Sequence, residues 1–333
     1  MCSFLSRECY SIFTLTRRSK YGYIYLYMQQ KGLNKIQSVN EFHEKDADQG
    51  VERTYMYYKT NSHHIHTPKQ SADILTTNKW QKMLFLESNL QSTTQDEIIY
   101  HTALVHPLMD TLQNKENILI LGGGEGATAR EVLRWTSVTN VTMVDHDREL
   151  VEFMQKHGKE WSLGAFNDTR LGVHFTDAWE FMKGAGEYDG VIVDLTDPNL
   201  AKESWESLLK DVFRSVKSRL GGFVMNAGLY LPWNTENLRK IKSIVHELCL
   251  GNPDYRYCVY TAMIPSFNGE WTFISMFHKG RFMKDPEKLH IIPDWIRRGV
   301  RTLDNKFIDV NVSTSPSLSK ISLTNSKLDC SIA

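Results

Sequence analysis

The stretch ILILGGGEGATARE holds the residues best placed to do chemistry. Gly122, Gly123, Gly124 and Gly126 stand between a short apolar run and a helical pattern, where the backbone can turn tightly and approach a ligand closely. Gly122-x-Gly124-x-x-Ala127 also fits the dinucleotide fingerprint, but Glu125 would place a carboxylate where that fingerprint receives a pyrophosphate. Like charges repel, so Glu125 suits a ligand that is cationic at this point. Nineteen residues after Gly126 comes Asp145, at a strand end where an acid accepts hydrogen bonds from ribose hydroxyls. A nucleoside without a pyrophosphate follows, and S-adenosyl compounds are the usual ones. Asp177 in TDAWEF is placed to accept from an adenine amino group, and Asp194 and Asp197 in VIVDLTDP stand at the next strand end. Each acid alone reads equally as a solvated strand end or a helix N-cap. Five converging on one crevice require a cation to complete them. No histidine accompanies them at ligand spacing, so an organic polycation fits better than a metal.

Elements must bring these residues together. Unbroken apolar runs at Ile118 to Leu121, Val141 to Val144, Val173 to Phe175, Val191 to Val193, Phe223 to Met225, Val259 to Met263 and Phe273 to Phe277 alternate with helical stretches. Among the latter are Ala127 to Trp135, Arg148 to His157, Trp205 to Leu220 and Leu238 to Leu248. This pattern predicts a parallel sheet covered on both faces, with ligands at the carboxyl ends of its strands. The fold class is α/β, a doubly wound Rossmann-like sheet of the class I methyltransferase type, with a small N-terminal β-rich domain. Ahead of it, ADILTT and KMLFLES read as a hairpin turning near Asn78 and Lys79. A helix then begins with Asp96 and Glu97 in its first turn. The expected divisions are an N-terminal extension over 1–50, the β-rich domain over 51–106, the catalytic domain over 107–310 and a disordered Ser/Thr/Asn-rich tail over 311–333.

Composition narrows the function. Across 333 residues, 39 Lys and Arg balance 39 Asp and Glu, which argues against a nucleic-acid partner. No apolar stretch long enough for a transmembrane helix occurs, so no membrane partner is expected. Five cysteines without C-x-x-C spacing suit a reducing compartment, and the expected localisation is cytoplasmic. Residues 1–36 carry six basic residues against Glu8 alone, which reads as an organelle-targeting segment, a flexible extension, or sequence ahead of a start at Met28. His63, His64 and His66 read as a solvated loop rather than a metal tract. Trp233, Trp271 and Trp295 read as core or channel wall, and the run from Tyr21 to Met28 as a β-segment or dimer contact.

Over roughly residues 70 to 280 the sequence resembles the polyamine aminopropyltransferases, the spermidine, spermine and thermospermine synthases. LESNLQSTTQDEIIYHTALVHP, GGGEGATARE, VDHD, DAWEFM, YDGVIVDLTDP and YTAMIPSF followed by Trp271 occur in that family's order. Glu125, His101 after Tyr100, Leu195 after Asp194 and Phe267 in PSF look most like thermospermine synthases.

The resemblance implies an enzyme that uses decarboxylated S-adenosylmethionine as co-substrate, with no cofactor and no metal. Its donor site would comprise Gln70, Gln91, His101, Gly122, Gly124, Glu125, Asp145, Asp177 and Ala178. Within that site Gln70 and Asp145 would bind the ribose, Asp177 the adenine, and Glu125 the ammonium of the aminopropyl arm. Asp194 and Tyr100 would be catalytic, and Asp197, Asn226, Phe267 and Trp271 would bind a polyamine, spermidine or putrescine. The resemblance also implies a homodimer. The reaction it predicts most directly is spermidine to thermospermine, with methylthioadenosine released. Spermine or spermidine synthesis, amine N-methylation from S-adenosylmethionine and an inactive paralogue are the alternatives. The chain departs from the family in having Asn226 where Gln is frequent, in lacking a Gly-Pro stretch after Asp197, and in offering Tyr55, Tyr57 and Tyr58 in place of a tryptophan at the polyamine entrance.

Overall fold

Period-two patterning before residue 94 and alternating strand and helix patterning after it fold into two sheets. The computed structural model describes residues 39–46, 50–195, 202–279 and 300–302. The first sheet is an antiparallel meander of β1 (Val39–Asp46), β2 (Val51–His66), β3 (Ser71–Thr77), β4 (Lys82–Leu86) and β5 (Asn89–Thr93), in that order. The expected hairpin is β3 and β4, with residues 78–81 turning between them.

Three expectations for this region are corrected. Part of the expected extension over 1–50 is β1, which pairs with β2 from Val39↔Tyr58 to Asp46↔Val51. It is held there by Phe42 against Phe85, with ring centroids 4.5 Å apart, and by buried Glu44, which accepts from Tyr55 Oη at 2.7 Å and from the Leu90 amide at 2.8 Å. His63, His64 and His66 lie on β2 rather than in a loop; His64 Nδ1 is 2.8 Å from Asp73 Oδ1, and the His63 ring packs tilted against His157 with centroids 3.9 Å apart. Tyr55 and Tyr57 pack against the small core of Leu75, Met83 and Phe85 rather than at a substrate entrance, because alternation along β2 turns them inward.

A helix, α1 (Glu97–Thr111), follows. It runs through the expected boundary at 106/107 with Pro107 inside it. Proline removes one helical donor, but burial of Leu104, Val105, Leu108 and Met109 against the second sheet carries the helix past it. The remaining elements are β6 (Asn117–Gly122), α2 (Ala127–Leu133), β7 (Asn140–Asp145), α3 (Arg148–His157), α4 (Lys159–Ser162), β8 (Leu171–Phe175), α5 (Ala178–Lys183), β9 (Gly190–Asp194), α6 (Lys202–Lys217), β10 (Gly222–Leu229), α7 (Glu236–Leu250), β11 (Tyr255–Ile264), β12 (Gly269–His278) and β13 (Val300–Thr302).

The second sheet has the order β13-β11-β12-β10-β9-β6-β7-β8. Strands β10, β9, β6, β7 and β8 pair in parallel, as expected. The last strands differ: β12 pairs antiparallel with both β10 and β11. Between β11 and β12 stands only a short 3-10 turn, Pro265–Phe267, and a connection that short permits a hairpin but not a parallel crossover.

Successive residues of β6 face opposite sides, which explains the unbroken apolar run. Ile118 and Ile120 join α1 and α2 in one core, while Leu119 and Leu121 join α5, α6 and α7 in the other. A third cluster, in which Ala72, Ile74 and Leu84 meet Leu150, Phe153, Met154 and Trp161, fixes the small sheet to α3 and α4. The 21–28 run, Trp295 and the tail over 311–333 lie outside the described residues. Trp233 is neither core nor wall; it is 76% exposed in the turn after β10.

Candidate active site

Strands β6 and β9 are neighbours, and their last pair is Gly122↔Asp194. A Cβ at Gly122 would lie 2.1 Å from the Asp194 carbonyl oxygen, and its φ of +86° is strained for any L side chain, so this crossing requires glycine. Gly124 passes equally close to a side chain: a Cβ there would lie 2.7 Å from Asp145 Oδ2. Glycines therefore let three strand ends close around one point, and Glu125, Asp145 and Asp194 converge there as expected.

Asp194 is held from two sides. Tyr100 Oη on α1 donates to Oδ1 at 2.9 Å, and Thr128 Oγ1 on α2 donates to Oδ2. Burial, and next the charge of Glu125, push its carboxyl up to about 6, although His101, Thr128 and Tyr100 oppose the rise. Burial also raises the Asp145 carboxyl, with the Asp147 amide opposing.

Glu125 does not stand among acids alone. Its Oε1 is 2.9 Å from His101 Nε2, and one ligand-type atom each from His101, Glu125 and Asp194 lie within 4.8 Å of one another. The expectation that no histidine accompanies the acids is corrected: α1 supplies one, which sequence spacing does not disclose because the acids come from different elements. His101 is 2% exposed, and its Nδ1 is 2.8 Å from both the carbonyl oxygen and Oε2 of Glu97. Burial alone would lower its pKa, but hydrogen bonds to Glu125 and Glu97 and their charges outweigh it and push the ring up to about 10. For Glu125, burial would raise the carboxyl, and the His101 hydrogen bond and charge override it to hold the carboxyl below its ordinary value. The expected donor contact at His101 is thus a buried ion pair behind Glu125. The cation that these acids share is the imidazolium.

Other expected residues take varied places. Gln70 donates from Nε2 to Asp147 Oδ2 at 3.1 Å rather than to Asp145. Asp145 Oδ1 accepts from the Asp147 amide at 2.9 Å, so one buried residue orders both halves of the expected ribose site. Asp177 caps α5, its Oδ1 accepting from the amides of Trp179 and Glu180 at 2.9 and 3.1 Å, which leaves Oδ2 facing outward beside buried Ala178. Gln91 is exposed on β5 and donates only to the Asn89 carbonyl, away from the acids; its outward strand position explains this. Asn226 is buried with both ends of its amide engaged, Nδ2 to the Leu195 carbonyl and Oδ1 accepting from the Gly228 amide. It anchors the segment after Asp194 instead of presenting a group to a ligand. Asp197 lies outside the described residues.

Phe267 and Trp271 pack with their rings tilted by 40° and centroids 4.5 Å apart, and Trp271 meets the Tyr100 ring edge-on at 6.1 Å. Trp271 Nε1 is buried without a hydrogen-bond partner among the described residues. Asp96, read from the sequence as helix-terminus charge, instead accepts from the Ser266 amide at 2.7 Å and from its hydroxyl at 3.0 Å. It thereby fixes the turn that carries Phe267 against Trp271. Thr128, Arg130 and Asp147 left no local signal, since the partners Asp194, Glu97 and Gln70 are distant in sequence.

Such an arrangement can hold cations against Glu125 and Asp194, walled by Tyr100, Trp271 and Phe267, with Asp145 at the end of β7 and Asp177 just beyond β8. Comparison with known proteins agrees. Residues 97–285 match the family described as spermine/spermidine synthase domain. The chain is 38% identical over 203 residues to the polyamine aminopropyltransferase of Sulfolobus acidocaldarius, covering 59% of this chain and 64% of that protein, slightly under two thirds of its length. It is 37% identical over 213 residues to the enzyme of the same name from Sulfurisphaera tokodaii, covering 62% of this chain and 68% of that protein. In fold it is similar to spermidine synthase from Thermotoga maritima, with a TM-score of 0.62 at 22% identity, covering 85% of this chain and 94% of that one. A spermidine synthase in complex with the transition-state analogue AdoDATO gives 0.63 at 23% identity with the same coverage.

Proposed function

The chain belongs to the spermine/spermidine synthase family, and from that premise we propose that it transfers the aminopropyl group of decarboxylated S-adenosylmethionine to a polyamine. The observation that carries this reading is the Glu125 carboxylate in the glycine loop, held ionised by His101 and within 4.8 Å of Asp194. Ordinary S-adenosylmethionine bears a carboxylate on the arm that would meet Glu125 and would be repelled; the decarboxylated donor bears only an ammonium there. Asp145, with Gln70 held nearby through Asp147, faces the ribose, and Asp177 Oδ2 the adenine.

Acceptor amines reach the site charged, since free alkylamines titrate near the lysine value of about 10.4. Asp194 binds the incoming ammonium while Tyr100 and Thr128 hold its carboxylate in position. The amine nitrogen, on losing its proton to Asp194, attacks the methylene beside the sulfonium. A C–N bond forms, the C–S bond breaks, and its electron pair passes to sulfur, which leaves as neutral methylthioadenosine. Alignment of nitrogen, carbon and sulfur supplies most of the acceleration, and proton acceptance the rest.

The acceptor is proposed to be spermidine and the product thermospermine. The motif features that support this are His101 after Tyr100, Leu195 after Asp194 and Phe267 in PSF. Mass spectrometry of reactions with each donor and with putrescine, spermidine and spermine tests the reading, followed by chromatographic separation of the tetraamine. Methylthioadenosine is expected only from the decarboxylated donor. Its absence with every acceptor, or methyl transfer from S-adenosylmethionine, overturns the proposal.

A further inference from the structure

The helix α1 buries two histidines one turn and a residue apart, and their surroundings set them in opposite states. His106 Nδ1 accepts the Trp135 indole N–H at 2.9 Å, so its single proton lies on Nε2, which donates to Glu131 Oε2 at 2.9 Å. It is a neutral ring with one donor and one acceptor. Among the described residues no donor faces His101. Its Nδ1 meets two oxygens of Glu97, and its Nε2 meets Glu125. Glu97 also accepts a two-pronged fork from Arg130, Nη1 to Oε1 at 2.8 Å and Nη2 to Oε2 at 2.9 Å, which requires a carboxylate. With acceptors on both sides, both nitrogens of His101 must carry protons.

Resting on the proposed reaction, we propose that His101 is a positioning residue: a permanent imidazolium, clamped between Glu97 and Glu125, that fixes Glu125 as the ionised anchor for the donor's ammonium and leaves Asp194 as the one acid of the pair that exchanges a proton. Two carboxylates this close and shielded from water do not both ionise readily. Without a third group, the single proton would be shared between them and neither role would be defined, as for coupled acids generally. The imidazolium breaks the symmetry because it contacts Glu125 directly, whereas Asp194 receives only the neutral donors Tyr100 and Thr128. The charged and titratable groups around the ring are Glu97 on its own helix, Arg130 on α2 behind Glu97, Glu125 in the glycine loop, and Asp194 at the end of β9. Behind Arg130 its counter-ion Glu131 closes the series.

Two measurements test this. NMR of the full chain with labelled histidine, the His101 ring assigned through its backbone neighbours, reads its protonation without any activity. The ring is expected to stay doubly protonated at pH 8; titration with a midpoint near the ordinary histidine value of about 6.5 overturns the proposal. The second is the pH profile of kcat/KM for the donor in His101→Gln, which keeps a polar side chain but no charge. Loss of the cation is expected to move the acidic limb upward by about one unit, a fall of about tenfold in kcat/KM at pH 5 that shrinks to about twofold at pH 7 and is recovered at higher pH. Affinity for methylthioadenosine, which lacks the ammonium, is expected to stay within about twofold. A profile that superimposes on that of the parent enzyme, or an equal loss of methylthioadenosine binding, overturns the positioning role. If the parent enzyme transfers no aminopropyl group, the proposed reaction fails while the NMR result still decides the state of His101.

Discussion

Tyr100 and Asp194, 94 residues apart in sequence, meet at 2.9 Å, hydroxyl to carboxylate, across the crevice between α1 and the end of β9. That bond and the one from Thr128 orient the carboxylate towards the acceptor amine. Asp194→Asn keeps the shape and removes the proton acceptor. Turnover is expected to fall by roughly 10² to 10⁴, the usual contribution of a positioned base, with donor binding nearly unchanged. Steady-state kinetics together with calorimetric titration of the donor check both halves; unchanged turnover removes Asp194 from the chemistry.

The same substitution has a stability signature. The Asp194 carboxyl stands at about 6 in the folded chain against an ordinary 3.8, with burial the first cause and Glu125 the second. A raised folded pKa means that the protonated form is the one the fold favours. Its contribution is therefore complete below pH 3.8 and is lost as pH rises through 6, so the ionised carboxylate costs stability at neutral pH. Asp194→Asn is expected to melt at higher temperature than the parent at pH 8, by up to about 3 kcal/mol of stability, with the gain vanishing near pH 4. Thermal unfolding at the two pH values reads this directly.

Arg130 is the keystone of the buried charges: its guanidinium forks onto Glu97, reaches Glu131 through Nε at 2.8 Å, and donates to the Trp161 carbonyl. Arg130→Leu would leave two buried carboxylates without their common partner. A loss of about 3 to 5 kcal/mol is expected, as for other broken buried pairs, and denaturant titration at pH 7 measures it. Relief on lowering the pH is part of the expectation. The Glu97 carboxyl is held below its ordinary 4.5, with burial opposed by His101 and Arg130, and without the arginine it can protonate.

Gly122→Ala places a methyl group on the Asp194 carbonyl at a positive φ. Backbone cannot yield as a flexible side chain can, so β6 and β9 must separate at their ends. Cooperative unfolding is expected to persist with a cost of at least about 1 kcal/mol, together with loss of measurable donor binding. Full donor affinity in this variant would show that the crossing is not needed for the site.

Among the described residues the buried Trp271 N–H has no partner. Trp271→Phe removes that donor while keeping an aromatic ring against Phe267 and Tyr100. Stability of the unliganded protein is expected to change by less than about 1 kcal/mol, because no existing hydrogen bond is lost. The KM for the acceptor is expected to rise several-fold with donor KM constant. An unchanged acceptor KM would assign the indole to packing alone.

What the sequence determined by itself was local and periodic. Unbroken apolar runs separated by helices specify strands buried on both faces, and glycines after a strand specify a close-approach turn, so Ile118 to Gly126 was legible from residue types alone. The acids at strand ends were legible too, because strand ends in such a sheet share one side. Tertiary structure decided the partners. His101 belongs to Glu125, Thr128 and Tyr100 to Asp194, Asp147 to Gln70, and Asp96 to Ser266, pairings made by elements that meet only once the sheet has closed. Asn226 and His101 show the consequence. The family resemblance implied ligand contacts for both, yet burial left each bound to the protein itself, since a buried polar group must be satisfied by whatever neighbour the fold brings to it.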